Sequence, residues 1–345
     1  MIVGSQAVLP PTPPELLKNV LESLGIPCFL GGMSRGMLGR YNKLLLRHKR
    51  KEALKEADLV ILAGAVCDFR LSYGRVLNKK SKIIVINRDK NQMLKNSDIF
   101  WKPTVAVQGD VGSFLVKLSY NLKGYKCDED WIIQLKERDE EKEKHNRKMA
   151  DHPTEQHLNP VDILFHLEEV LGDKTIMIVD GGDFVGTAAY ILRPRGPLKW
   201  LDPGAFGTLG VGAGFALGAK LCFPDNEVVI IYGDGSFGYS IAEFDTFKRH
   251  KVPVMAVVGN DACWSQIARE QVPMFGTSTA CDLEYTPYHQ VVEGFGAKGM
   301  VMFDAHHGEE TKLFEEARHV YQQGRCVLIN VLIGKTKFRE GSISV

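Results

Sequence analysis

Short apolar runs alternate with helix-like segments through the first third of the chain. Residues 2–3, 27–30, 59–62 and 83–86 are apolar and are expected to form strands, whereas residues 14–24, 41–57 and 89–97 carry helical spacing. Strands that are apolar on both faces and alternate with helices are typical of parallel sheets covered on both sides. Residues 1–123 are therefore predicted to form an α/β domain with a doubly wound parallel sheet.

A second α/β pattern begins at Asn159-Pro160 and continues to the end of the chain. Its expected strands are residues 175–179, 228–232, 254–258 and 326–332. Residues 159–345 are therefore predicted to form a second doubly wound parallel-sheet domain. Residues 136–148 are almost entirely charged, which is typical of a solvated helix with charge pairs four residues apart. We interpret residues 124–158 as the linker between the two domains.

The composition restricts the classes of partner. The chain has 43 basic and 42 acidic residues, so nothing in its net charge of +1 indicates nucleic acid or an anionic membrane surface. Its seven cysteines form no CxxC pair and lie mostly among apolar neighbours, a distribution that favours buried free thiols over disulfides or a zinc site.

The first domain could also be a Rossmann nucleotide-binding fold. That interpretation calls for a G-x-G-x-x-G turn after the first strand, and residues 31–36 (Gly-Gly-Met-Ser-Arg-Gly) imitate such a turn only loosely. Whether this domain binds FAD or ADP stays open.

The strongest chemical signal lies in two neighbouring strand ends of the second domain. Gly233, Asp234, Gly235 and Ser236 follow the apolar strand at 228–232, and an Asn-Asp pair at 260–261 ends the next strand. Glycines let a backbone approach phosphate oxygens, and Mg²⁺ prefers carboxylate and phosphate oxygens as ligands. Leu217-Gly218 and Pro224 also lie at the spacing found in the thiamine diphosphate enzyme signature. The pattern as a whole therefore resembles a thiamine diphosphate site with Mg²⁺.

Four residues are candidates for the magnesium ligands. Asp234 is the strongest, and Asn260 and Asp261 compete for the second side-chain position, with spacing that favours Asp261. The backbone carbonyl of Cys263 is a candidate for a third protein oxygen. Gly235 and Ser236 are expected to open a helix whose first amides face the diphosphate.

Residues after the first strand of the second domain form another candidate loop. Ligands of open α/β sheets sit at the carboxyl ends of the strands, which places Gly182, Asp183 and Phe184 near the diphosphate. A tight strand-to-helix turn without a ligand is an equally good interpretation of each residue. Asp183 would repel a diphosphate unless it faces the magnesium ion.

The glycine-rich loop at 203–210 suits the aminopyrimidine ring of the same cofactor. Gly207 is expected to present its carbonyl to the amino group of the ring, and Leu209 is expected to wedge between the two cofactor rings. Thr208, which lies between these two residues in the sequence, is also predicted to contact the cofactor. A bent cofactor would bring its amino group close to its reactive carbon, which is catalysis by proximity.

Asp304, His306 and His307 also suggest a metal site. They precede an amphipathic helix and have no matching partner cluster nearby in the sequence. A solvated loop is therefore the favoured interpretation.

Segments 67–74, 180–186, 200–220, 233–249 and 259–262 resemble the thiamine diphosphate-dependent acetolactate synthase-like family, and most closely its animal 2-hydroxyacyl-CoA lyase branch. The resemblance covers the whole chain. It implies that residues 1–123 are the central domain of the family and that residues 159–345 are its diphosphate-binding domain.

The resemblance also implies features beyond the chain. Members of the family begin with a pyrimidine-binding domain that carries the activating glutamate, and this branch begins with a hydrophobic anchor and is assigned to the endoplasmic reticulum membrane. The sequence is therefore expected to be the C-terminal part of a longer protein, and no catalytic residue is predicted within it.

The implied activity is cleavage of a 2-hydroxyacyl-CoA to formyl-CoA and an aldehyde one carbon shorter, by a homodimer or homotetramer of the longer form. An acetolactate synthase-type ketoacid ligase uses the same cofactor and is not separated from the lyase by these residues. A cofactor-binding but inactive interaction module is the third hypothesis.

Overall fold

The computed structural model describes residues 1–342 and divides into two compact units. The first comprises residues 1–145 and 194–200, and the second comprises residues 146–193 and the chain from 201 onward. Each unit contains a six-stranded sheet, and every strand pairing between named strands is parallel. The predicted fold class, two α/β units with parallel sheets, is confirmed.

The first sheet has the strand order β3-β2-β1-β4-β5-β6, the doubly wound order in which the chain starts in the middle and builds outward to both edges. Its strands are β1 (Ile2–Val3), β2 (Cys28–Leu30), β3 (Leu45–Leu46), β4 (Leu59–Ala63), β5 (Lys82–Asn87) and β6 (Val105–Gln108). The helices of this part of the chain are α1 (Pro14–Leu24), α2 (Arg50–Glu56), α3 (Lys90–Met93), α4 (Val111–Asn121) and α5 (Glu129–Ala150).

Two details of the first sheet differ from the sequence prediction. The helix expected over 41–57 is confined to α2, because β3 pairs with β2 and buries Leu46 in the core. The edge strand β6 was not predicted, since most of its residues are exposed and it lacks the continuous apolar pattern of an inner strand.

The second sheet has the order β11-β12-β10-β9-β7-β8. Its strands are β7 (Ile176–Val179), β8 (Trp200–Leu201), β9 (Val228–Gly233), β10 (Met255–Asn260), β11 (Lys298–Met302) and β12 (Val327–Leu332). The helices are α6 (Pro160–Val170), α7 (Asp183–Ile191), α8 (Gly212–Cys222), α9 (Asp234–Gly238), α10 (Glu243–Arg249), α11 (Ser265–Phe275), α12 (Tyr288–Gly294) and α13 (Glu310–Gln322).

The strands β7, β9 and β10 are central to this sheet and are fully buried. They lie side by side, and parallel strands end at the same edge of a sheet. The residues that follow these three strands are therefore brought together, although they are far apart in the sequence. This edge contains most of the predicted site.

Helix α6 illustrates how the sequence sets an element boundary. Asn159 caps the helix by accepting a hydrogen bond from the Val161 amide at 2.8 Å, and Pro160 occupies the first helical position, where its missing N–H is not needed. One face is buried in the core, whereas Asp162 and His166, four residues apart, lie on a partly exposed face. Among residues 1–342, no helix is long and apolar enough to cross a membrane.

The cysteines are free thiols in the structure, as the sequence predicts. Five of the seven are buried, and Cys222 is exposed. Burial raises the pKa of the Cys28 thiol to about 11 and that of Cys67 to about 12, so both are un-ionised and poorly nucleophilic at neutral pH.

Candidate functional site

The turns after β7 and β9 are joined through their backbones. The Gly233 amide donates to the Gly181 carbonyl at 3.1 Å, and the Ser236 hydroxyl donates to the same carbonyl at 2.8 Å. A side chain at position 233 would begin 3.0 Å from that carbonyl oxygen. Gly182 has φ of +114°, a conformation that only glycine adopts readily. Two glycine-lined turns thus lie against each other at the edge of the sheet.

Asp234 lies at the centre of this edge and is only 3% exposed. Its Oδ1 accepts a hydrogen bond from the Gly235 amide at 2.7 Å, and its Oδ2 accepts one from the Cys263 amide at 3.2 Å. The carboxylate therefore ties the turn after β9 to the turn after β10. Burial raises its pKa to about 6, against the opposing effect of these amide donors.

The short helix after Asp234 differs from the expectation. It spans five residues, too few for a substantial helix dipole, and the Gly235 amide is already bonded to the Asp234 carboxylate. The Ser236 hydroxyl also donates within the turn, to the Gly181 and Gly233 carbonyls. Gly235 and Ser236 therefore shape the turn, and the ring of Trp264 covers Gly235, where an added side chain would meet it at 2.5 Å.

Asn260 and Asp261 have different surroundings. Asn260 is fully buried, and its amide donates to the Thr286 carbonyl and the Asn330 side chain, each at 3.2 Å. Its Oδ1 accepts from the Ala262 amide at 3.3 Å. The Asn260 side chain is thus held in a network that joins β10 to β12.

Asp261 is the more available of the two for a cation. Its carboxylate accepts a hydrogen bond from the Ser265 hydroxyl, and its pKa is raised to about 7 by burial and by the nearby carboxylates of Asp234 and Asp183. The buried Asp234 carboxylate raises the pKa of the half-buried Asp261 carboxylate, so a divalent cation bound by both would be stabilised. Cys263 is buried directly after them.

Asp183 has a partner that spacing did not reveal. Its carboxylate forms an ion pair with Arg269 on α11, and the Arg339 guanidinium lies 3.7 Å away and is fully buried. These two positive charges offset the repulsion that the carboxylate would exert on a diphosphate. Phe184 packs inward against Gly259, where an added side chain would meet its ring at 2.2 Å. Only its backbone is therefore placed to face a ligand.

The glycine-rich loop contacts the turn after β7. Leu209 is half-buried against Gly181. Phe206 is 91% exposed, and Gly207 and Thr208 beside it are also exposed. Gly207 has φ of +68°, which turns the chain after a single 3₁₀ turn.

Asp180 is the residue that the sequence analysis missed. Its two carboxylate oxygens accept hydrogen bonds from the backbone amides of Gly210 and Gly212, at 2.9 and 2.6 Å. It is 2% exposed, and burial raises its pKa. Asp180 therefore holds the glycine-rich loop onto the end of β7. The available signal was its place at the end of an apolar strand, directly before two glycines.

Comparison with known families supports this geometry. Residues 180–331 match the family described as "Thiamine pyrophosphate enzyme, C-terminal TPP binding domain", and residues 1–118 match "Thiamine pyrophosphate enzyme, central domain". Together the two matches cover most of the chain. The chain belongs to the thiamine pyrophosphate enzyme family. The first of these matches begins at Asp180 and contains all the predicted site residues, whereas Arg339 lies beyond it.

Relatives within the thiamine pyrophosphate enzyme family are similar along the whole chain. A protein named 2-hydroxyacyl-CoA lyase 2 from Danio rerio is 64% identical over 345 residues, which are 100% of this chain and 56% of the relative. Its namesake from Homo sapiens is 58% identical, with 55% of the relative covered. A probable acetolactate synthase from Mycobacterium bovis is 31% identical over 92% of this chain and 56% of its own. The chain spans about half the length of these relatives.

Asp180→Ala should loosen the glycine-rich loop. Two buried amides would lose their acceptor, and we expect a loss of about 1–3 kcal/mol in the free energy of unfolding, with faster proteolysis within residues 203–211. Urea unfolding and limited proteolysis measure the two effects.

Asp245→Ala is the matched control, because that carboxylate forms only an exposed pair with Arg249 and should cost about 0.5 kcal/mol or less. Equal stability and equal cleavage rates in the two variants would show that Asp180 does not anchor the loop.

Proposed function

We propose that this chain holds the diphosphate of thiamine diphosphate through a Mg²⁺ ion. Asp234 and Asp261 supply carboxylate oxygens, and the backbone carbonyl of Cys263 supplies a third protein oxygen. Asn260 either coordinates the Mg²⁺ ion as well or holds the turn after β10 in place through its hydrogen bonds. We also propose the boundaries 1–123, 124–158 and 159–345 for the central domain, the linker and the diphosphate-binding domain.

The residues present fit this group. The side-chain donors are carboxylate oxygens, which Mg²⁺ prefers, and Asp261 has a pKa raised to about 7, partly by the Asp234 charge that a cation would offset. Beside them, Gly182 and Gly233 let the turns after β7 and β9 pack closely, because a side chain on either residue would meet the backbone of the other turn. Backbone without side chains is also what phosphate oxygens can approach. Arg269 and Arg339 offset the charge of Asp183 at the same edge.

Each remaining predicted residue has a defined task in this proposal. Gly182 lets the backbone approach the diphosphate, and the backbone of Phe184 faces the same space while its ring anchors α7 to β10. Gly207, Thr208 and Leu209 contact the aminopyrimidine ring, and Asp180 fixes their distance from the diphosphate. Gly235 and Ser236 keep Asp234 in its rotamer.

Thiamine diphosphate, when bound, supplies the electron sink that cleavage of a carbon–carbon bond requires. We infer that the protein containing this chain cleaves a 2-hydroxyacyl-CoA between its carbonyl and hydroxyl-bearing carbons. The products are formyl-CoA and an aldehyde one carbon shorter, which balances the atoms of the substrate. The contribution of this chain is to hold and orient the cofactor and to exclude water around its diphosphate.

The observation that carries this proposal is the graded similarity of the relatives. Identity reaches 64% with a relative named 2-hydroxyacyl-CoA lyase 2 and 31% with a probable acetolactate synthase. The second relative keeps a ketoacid ligase as the alternative function. We extend to the protein the homo-oligomeric state and the endoplasmic reticulum membrane location that the resemblance implies. The activating glutamate is assigned to no residue of this chain.

Product analysis separates the two functions. The protein containing this chain, supplied with thiamine diphosphate and Mg²⁺, should convert a 2-hydroxyacyl-CoA to formyl-CoA and the shortened aldehyde, as measured by mass spectrometry. Incubation with pyruvate should yield no acetolactate. Acetolactate formation without aldehyde release would reverse the assignment, and neither product would leave the cofactor-binding module as the better description.

Asp234→Asn should weaken Mg²⁺-dependent binding of thiamine diphosphate by at least about a hundredfold, since the buried carboxylate would lose its charge while keeping its shape. Titration calorimetry with and without Mg²⁺ measures this, and circular dichroism checks the fold. Asp245→Asn on exposed α10 is the control. Unchanged affinity in Asp234→Asn would refute the metal assignment.

Asp261→Ala and Asn260→Ala should affect different properties, the first cofactor affinity and the second stability. Asp261→Ala should chiefly reduce Mg²⁺-dependent cofactor affinity, because the Asp261 carboxylate interacts electrostatically with Asp234 and bonds only to the Ser265 hydroxyl among the described hydrogen bonds. Asn260→Ala should chiefly lower the free energy of unfolding, by about 1–3 kcal/mol, because the Oδ1 of the buried Asn330 loses the Asn260 amide as its donor. Calorimetry and urea unfolding on both variants give the comparison. A larger affinity loss in Asn260→Ala would make Asn260 the side-chain ligand.

A further inference from the structure

A second cluster of potential metal ligands lies between α6 and α13. Asp162 is in the first turn of α6, Glu310 is the first residue of α13, and His307 lies three residues before Glu310. One ligand atom from each of these three residues lies within 4.8 Å of the other two. We call these residues the 162–307–310 cluster. The sequence suggests a metal at His307 but supplies no partners nearby, and the packing of α6 against α13 brings them together.

The buried member of the cluster is already oriented. The Glu310 side chain is 1% exposed, and its Oε1 lies 3.2 Å from His307 Nδ1. Its Oε2 accepts a hydrogen bond from the Gly308 amide at 2.8 Å. One oxygen is thus fixed by the backbone, while the other is directed towards the remaining two members.

The other two members reach the cluster from the solvent side. The side chains of Asp162 and His307 are 28% and 78% exposed. This exposure gives an ion a path of entry and leaves room for water to complete its coordination. Two ligand atoms bonded to one tetrahedral zinc ion lie about 3.4 Å apart, so small rotations of the exposed Asp162 and His307 side chains close the cluster to bonding distances.

His166 supports the cluster from the next turn of α6. Its Nδ1 lies 2.8 Å from the Thr311 hydroxyl, and its Nε2 lies 3.5 Å from Asp162 Oδ1. The ring is therefore fixed on one side by α13 and orients the Asp162 carboxylate on the other. Residues that orient ligands in this way are characteristic of protein metal sites.

We propose that the 162–307–310 cluster binds a zinc-class transition-metal ion, which clips α6 to α13. One imidazole nitrogen with two carboxylates is a donor set that Zn²⁺ accepts, whereas Mg²⁺ and Ca²⁺ prefer oxygen alone. The site is separate from the proposed magnesium site, whose ligands follow β9 and β10. His166 is a positioning residue in this arrangement.

The test is calorimetric titration with Zn²⁺, with Co²⁺ absorption as a spectroscopic probe. The protein containing this chain is first freed of metal with a chelator, kept under a non-chelating reductant, and then saturated with thiamine diphosphate and Mg²⁺. Binding of one Zn²⁺ that the variants below lose is expected. His307→Ala should weaken that binding by at least about tenfold, and because the side chain is exposed the variant should keep its fold.

Glu310→Gln separates metal binding from the hydrogen bond between Glu310 and the turn before α13, because the amide oxygen still accepts from the Gly308 amide but is a poor zinc ligand. It should lose zinc affinity to the same extent as His307→Ala and should lose the rise in melting temperature that Zn²⁺ produces in the unaltered protein. His319→Ala, an exposed histidine further along α13, is the control and should bind zinc normally.

Equal zinc binding in the unaltered protein, His307→Ala and Glu310→Gln would overturn the proposal, as would no zinc binding at all. Either outcome would show that Glu310 only stabilises the turn before α13. Failure of the magnesium site would appear separately, as loss of thiamine diphosphate binding without any change in zinc binding.

Discussion

The structure of the second unit depends on burying carboxylates at one edge of a parallel sheet. Asp234 and Asp180 follow two adjacent strands, and each is almost fully inaccessible. A buried carboxylate is costly unless its oxygens accept hydrogen bonds or bind a cation. Both residues meet that requirement with backbone amides from other loops. The hydrogen bonds that stabilise the buried carboxylates therefore also hold the loops that donate them in place.

The same requirement explains why the acidic residues at this edge differ in how their charges are stabilised. Both carboxylate oxygens of Asp180 accept hydrogen bonds from the backbone amides of Gly210 and Gly212, so this residue only fixes the position of the glycine-rich loop. Asp183 pairs with Arg269 and lies near Arg339, so its charge is offset within the protein. Asp261 accepts a hydrogen bond from the Ser265 hydroxyl, and its pKa is raised by burial and then by the Asp234 and Asp183 carboxylates, although Lys335 lowers it. In the proposed function, the divalent cation would offset the charges of Asp234 and Asp261.

The two units illustrate how far a parallel sheet constrains function. The first has the doubly wound order common to nucleotide-binding folds, but its first turn lacks the matching glycine pattern. The second has the residues of the proposed cofactor site at the ends of three adjacent strands. Fold class alone would not distinguish the two units, whereas the residues at the strand ends do.

Features that depend on neighbouring residues along the chain could be predicted from the amino-acid sequence. The inner strands were predictable because burial on both faces requires continuous apolar residues, and the Asp234 turn was predictable because its glycines and carboxylate are adjacent. Edge strands such as β6 escaped prediction because exposure removes that pattern. The family relationship followed from the same local motifs and was confirmed by the family matches.

Contacts between residues that are distant in the sequence became visible in the folded chain alone. The hydrogen bonds of Asp180 to the glycine-rich loop, the ion pair of Asp183 with Arg269, and the approach of Asp162 to His307 each join segments that are far apart in the chain. Such contacts depend on the order of strands in the sheet and on the packing of helices over it. Residue spacing does not encode that order, because the same local patterns are compatible with several strand orders.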